Sequence, residues 1–182
     1  MKPLLIIFSI VLLAFTQQKQ EDNKKISTSV AADNSHLSFP ERCLGEWEGY
    51  MNVYVKGNVV DSVLTKFTCK KMDVANEYIW KTFYLSEKQP VIKDYKLIKD
   101  KNNKGVYKLD EGNEITLLMT EGKNRIHSTF KVDEFVLNST TEIFSDKLVF
   151  EIVTSKHADT IDQVINYSIL NIQRTEFIRV DN

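Results

Sequence analysis

Tyr78, Trp80, Thr82 and Tyr84 alternate with Ile79, Lys81, Phe83 and Leu85. In an extended chain this puts two phenol hydroxyls and an indole N–H on one face and a mainly apolar set on the other. Such groups want a hydrogen-bond partner when buried, and a bound molecule can supply it. Alternation alone leaves open which face turns inward. Two more polar–aromatic clusters follow, Asp94-Tyr95-Lys96-Leu97 and the run from Tyr107 to Glu114. Within the second, Asp110, Glu111 and Glu114 are the residue types of a cation or acid–base site. They straddle Gly112-Asn113, however, a turn dipeptide beside which exposed carboxylates are ordinary, so no metal is expected there.

The three histidines are scattered at His36, His127 and His157. No nucleophile elbow, zinc signature, phosphate loop or histidine–carboxylate pair at motif spacing accompanies them. The expectation is therefore of binding without catalytic residues and without a cofactor. The 182 residues hold 24 basic and 25 acidic side chains, a net charge of −1, which leaves no electrostatic footprint for nucleic acid or an anionic membrane. Arginine is scarce (Arg42, Arg125, Arg174, Arg179), so each one invites a specific role. Cys43 and Cys69 are an even count that permits a disulfide in an oxidising compartment, provided their Cα atoms approach to roughly 4.4–6.8 Å. Two separate small buried residues are the alternative.

The elements that must position these groups are strands. Gly45, Trp47, Gly49, Met51, Val53 and Val55 share one face, and Glu46, Glu48, Tyr50, Asn52, Tyr54 and Lys56 the other, which is the period of two of a half-buried strand. Runs rich in Val, Ile, Thr, Tyr and Phe then recur at 59–72, 77–85, 91–99, 105–109, 114–120, 125–132, 135–144, 147–155 and 163–179. Short turn segments separate them, and only Asp159 to Val164 offers a turn of helix. Connections this short fit antiparallel neighbours. About ten meandering strands leave an edge problem that closure into a barrel removes, so an all-β, up-and-down closed antiparallel barrel is favoured over a two-sheet sandwich.

Upstream, Lys2 precedes an apolar run from Leu4 to Phe15 that turns polar at Gln17. A run of about a dozen apolar residues matches a signal peptide and falls short of the roughly 20 needed to span a bilayer. Residues 1–16 are read as an export signal, 17–38 as a polar leader unable to build a core, and 39–182 as the barrel domain. A secreted or periplasmic location follows, with no integral span after processing.

Leu44-Gly45-Glu46-Trp47-Glu48-Gly49, opening the first strand, resembles the G-x-W start of the calycin superfamily, which includes lipocalins and fatty-acid-binding proteins. The resemblance implies a tryptophan closing the barrel floor and an arginine of the last strand packed over it. Arg174 is preferred for that place over Arg179, which lies almost at the terminus. The helix usual before a lipocalin's last strand is reduced here, which favours a ten-stranded, fatty-acid-binding or nitrobindin-like form. The nitrobindin likeness would invite a haem with His127 or His157 as axial ligand, but a lone strand histidine is more often structural. The resemblance implies a small hydrophobic or amphipathic ligand in the interior, with Tyr78, Trp80, Tyr84, Tyr95, Phe130 and Tyr167 as the expected lining. The rival readings are a filled barrel that contacts a protein partner and, third, a reaction vessel.

Overall fold

The computed structural model describes residues 37–159 and 163–180. The expected export signal, nearly all of the leader and the centre of the helical turn expected after Asp159 lie outside the described residues. A short helix, α1 (Phe39–Arg42), precedes ten strands: β1 (Gly45–Val55), β2 (Asn58–Lys71), β3 (Glu77–Tyr84), β4 (Val91–Lys99), β5 (Val106–Gly112), β6 (Ile115–Gly122), β7 (Arg125–Val132), β8 (Phe135–Ile143), β9 (Lys147–His157) and β10 (Tyr167–Arg179). They form one closed antiparallel barrel in which every strand neighbours its sequence neighbours and β10 returns to β1. The sequence-based expectation of a ten-stranded up-and-down barrel thus holds. Among the described residues no helix is long and apolar enough to cross a membrane.

The two-residue hairpin between β1 and β2 turns on Lys56 and Gly57 with φ of 50° and 81°. Paired positive φ values give the turn the twist that antiparallel strands require. Closure depends on the β1–β10 ladder, which runs from Trp47↔Arg179 to Tyr54↔Ile172. Here Gly49 permits a close approach, because a Cβ at this position would lie 2.1 Å from the carbonyl oxygen of Glu176. Gly49→Val is expected to lower the unfolding free energy by roughly 3 kcal/mol through overpacking. Urea denaturation checks this, and an unchanged midpoint would mean that the seam yields freely.

One end of the barrel is plugged. Ser38 N–H donates to Glu41 Oε2 at 2.9 Å and starts α1, and Phe39 and Pro40 of the helix are fully buried in the barrel mouth. Arg42 ties the plug to the β6–β7 turn, donating to Glu121 Oε1 at 3.1 Å, Asn124 Oδ1 at 3.1 Å and the Lys123 carbonyl at 3.0 Å. Tyr107 completes this network by donating to Glu121 Oε2 at 2.6 Å. Cys43 and Cys69 are both buried free thiols, brought to the same end by the Gly45↔Cys69 register.

The G-x-W expectation needs one correction. Trp47 is 2% exposed and its indole N–H donates to the Cys43 carbonyl at 2.9 Å, but the arginine over its ring is Arg179, with its guanidinium carbon 4.1 Å from the ring centroid. Arg179 also donates to the carbonyl of Leu44. Arg174 lies on the outer wall and pairs with Glu151 at 2.8 Å and Glu176 at 2.9 Å. The reason is strand parity: Arg179 shares the inward parity of Phe177 and Thr175 and registers with Trp47, whereas Arg174 registers with Asn52 on the outward face.

Candidate functional site in the open half of the barrel

Inward-facing side chains change character along the barrel. Near the plug, Leu97, Ile126 and Leu148 are fully buried. Above them Phe67, Trp80, Phe150 and Phe177 make an aromatic floor, with Phe67 centroids 4.7 Å from both Trp80 and Phe150, and Phe150 4.9 Å from Phe177. Beyond the floor, Met51, Val53, Val63, Phe130 and Ile152 keep the inward parity but are only half-buried. Burial of the inward positions thus falls off away from the plug.

The polar groups in this half come from three adjacent strands. On β3 the face that turns inward is Tyr78-Trp80-Thr82-Tyr84, which settles the choice left open by alternation: Tyr78, Trp80 and Thr82 are buried while Lys81 and Phe83 are not. The register Trp80↔Tyr95 and Thr82↔Lys93 puts Tyr95 and Lys93 of β4 on the same inner face. Continuing the pairing Lys96↔Asp110 by one residue sets Glu111 of β5 beside Tyr95. The Lys93 ammonium sits 5.9 Å from the ring centroids of both Tyr84 and Tyr95, within cation–π range.

Electrostatics mark these groups as enclosed. Burial pushes the Tyr84 phenol up to about 12. Desolvation also depresses Lys93 below the ordinary lysine range, an effect the nearby Glu111 carboxylate partly offsets. It raises Glu111 above the usual carboxylate range, against the pull of Lys93 and of a hydrogen bond from the Tyr95 hydroxyl. Burial is the main cause raising Tyr95 as well, assisted by Glu111. Lys93 and Glu111 feel each other, yet no ion pair within 4.0 Å joins them. Tyr84, Lys93, Tyr95 and Glu111 all retain partial solvent access, as expected of groups lining a recess.

In the order of strands around the barrel, β4 and β5 lie opposite β9 and β10. On that far side the inward atoms Thr154 Oγ1 of β9 and Asn171 Oδ1 of β10 are buried without a hydrogen-bond partner, as is Ser128 Oγ of β7, two strands from β5. Thr154 and Asn171 are directly registered. The wall is also loosely laced around β5. Strands β4 and β5 pair only from Lys96↔Asp110 to Lys99↔Tyr107, and β6 and β7 only from Thr120↔His127 to Gly122↔Arg125.

Of the residues expected to line a site, Trp80, Tyr84 and Tyr95 lie on neighbouring inward positions of β3 and β4, and Phe130 has the inward parity of β7. Tyr78 belongs to the plugged end, where it is 3% exposed and bonded to Ser38. Tyr167 stands on the rim, half exposed, its ring edge-on to His157 at 6.1 Å. His127 faces outward, its Nδ1 3.2 Å from Thr140 Oγ1. Lys93 and Glu111 were not expected from the sequence. Glu111 reads there as a turn carboxylate, and the one available signal for Lys93 is its shared parity with Val91, Tyr95 and Leu97. A separate concavity of about 290 Å³ lies on the outer wall, lined by Tyr50, Asn52, Tyr54, Arg174 and Glu176. Its arginine and glutamate satisfy each other, whereas the interior holds polar atoms still lacking partners. Among the described residues no group of three or more His, Cys, Asp or Glu side chains could hold a metal ion.

The closed ten-stranded meander fits the calycin architecture. Two solved structures share the fold. The S-type phycobiliprotein lyase CPES from Guillardia theta superposes with a TM-score of 0.58 at 10% identity, covering 79% of this chain and 92% of that one. A DUF3598-family protein of unknown function from Nostoc punctiforme gives 0.56 at 13% identity over 78% of this chain. The match spans about half (49%) of that second protein. The sequence matches no protein-family model and no curated protein.

Proposed function

We infer that the chain is an exported binding module that holds a small amphipathic molecule in the open half of its barrel. The observation that carries this reading is the inward placement of Lys93 and Glu111 above an aromatic floor. Partly burying an ammonium and a carboxylate that form no ion pair with each other costs stability, and that cost is recovered when a ligand bonds to them. Ligand sites of this kind are mostly apolar with a few placed polar groups. Fold kinship with a phycobiliprotein lyase supports a barrel of this general type. Export rests on the apolar run after Lys2.

Native mass spectrometry of the protein purified from its own host tests the reading. A retained molecule of a few hundred daltons is expected, the size for which such pockets are built. If no molecule is retained and the purified protein also fails to bind the neutral fluorophore N-phenyl-1-naphthylamine, the interior is not a ligand site.

A further inference from the structure

We propose that the recess recognises a neutral head group presenting a hydrogen-bond acceptor and a donor side by side, as a lactam, cyclic imide or cis-amide does, with the acceptor at Lys93 and the donor at Glu111. This rests on the binding reading above and adds the chemistry of the ligand.

The charges select the head. An anionic group gains from Lys93 but is brought close to the Glu111 carboxylate, and a cationic group meets the reverse conflict. A neutral head with both functions satisfies each side and buries no net charge. Both residues have bonding capacity to spare. The Lys93 neighbours in contact are ring faces at 5.9 Å, which attract the ammonium but leave its three N–H donors without lone pairs to bond. Glu111 receives the Tyr95 hydroxyl, and a carboxylate has acceptor sites beyond that one.

The remainder of the molecule is constrained by the aromatic floor. Trp80 and Phe150 lie nearly parallel, 16° apart with centroids separated by 5.9 Å, and this floor favours a flat conjugated body.

Fluorescence titration of the full chain with four aromatic probes tests this. These are 1,8-naphthalimide, its N-methyl derivative, 2-naphthoate, and N-phenyl-1-naphthylamine as the probe of the apolar recess alone. The imide is expected to bind at least about tenfold more tightly than either its N-methyl derivative or the naphthoate, the usual worth of a hydrogen bond to a charged group. In Glu111→Gln the advantage over the N-methyl derivative falls to within about threefold and binding of 2-naphthoate strengthens, because the repelling carboxylate is gone. Lys93→Met weakens the imide and its N-methyl derivative alike and leaves N-phenyl-1-naphthylamine unchanged, and it serves as the second variant should Glu111→Gln fail to fold. Equal binding of the imide and its N-methyl derivative, or preference for the naphthoate, overturns the proposed head while N-phenyl-1-naphthylamine binding leaves the recess standing. Failure of all four probes overturns the binding reading and this inference together.

Discussion

Trp47→Ala is expected to lower the unfolding free energy by about 4 kcal/mol, the cost of emptying a fully buried aromatic site. Against a total stability of about 5–15 kcal/mol for a typical domain, that is enough to leave a large unfolded fraction on mild heating. Three separate contacts converge on this side chain. The indole is 2% exposed, its N–H satisfies the Cys43 carbonyl, and its face carries the Arg179 guanidinium. The last two fasten the chain entering β1 to the end of β10, so the substitution opens the seam on which closure depends. Arginine substitutions separate the contributions. Arg179→Ala is expected to cost about 1–2 kcal/mol, since it removes both the cation–π contact and the bond to Leu44. Arg174→Ala is expected to cost under about 1 kcal/mol, as for other exposed ion pairs. Urea denaturation of the three variants decides the matter. Arg174→Ala costing more than Arg179→Ala would contradict the assignment of Arg179 to the tryptophan.

That assignment illustrates what could be read from the chain. The all-β meander was legible because period-two alternation and short turns leave little else for these segments to form, and Gly45-Glu46-Trp47 marked the first strand. Choosing between Arg174 and Arg179 required parity. Arg179 is two residues from Phe177 and five from Arg174, so the two arginines point to opposite faces of β10, and parity favours the one nearest the terminus. The site was half legible. Tyr84 and Tyr95 stood out as aromatics in polar strands, but β4 carries charges on both parities at Lys93, Asp94 and Lys96. Only the register Trp80↔Tyr95 decides which charge goes inside. Glu111 was hidden for a second reason: it stands beside a turn and at the β5–β6 shift between Asp110 and Gly112, yet it keeps the inward parity of Tyr107 and Leu109. Neither the register nor the bulge has a signature in residue type.

The second large effect concerns alkaline pH. Under reducing conditions the barrel is expected to lose most of its stability between about pH 9 and pH 12. Burial pushes the Cys69 thiol up to about 12 and the Tyr84 phenol up to about 12. The Cys43 thiol is raised well above its ordinary value by burial and by the neighbouring Cys69, and Tyr107 is raised by burial and by its bond to Glu121. For an acid whose folded pKa lies above its unfolded one, the folded state holds the proton longer. The unfolded chain ionises first, near 9 for thiols and 10 for phenols, so the stability present below that range is lost as pH rises towards the folded value. Each pH unit across such a window is worth about 1.4 kcal/mol per group, which puts the Cys69 contribution alone on the order of 4 kcal/mol. Lys93 acts in the opposite sense. Its folded pKa is depressed, so its penalty is relieved as pH rises, but one amine offsets only part of the loss from several thiols and phenols. Denaturation midpoints followed from pH 8 to pH 11 should fall steeply, and Cys69→Ala, although less stable at neutral pH, should show a shallower slope. A flat profile for the unmodified chain would mean that these thiols and phenols are not held away from water in solution.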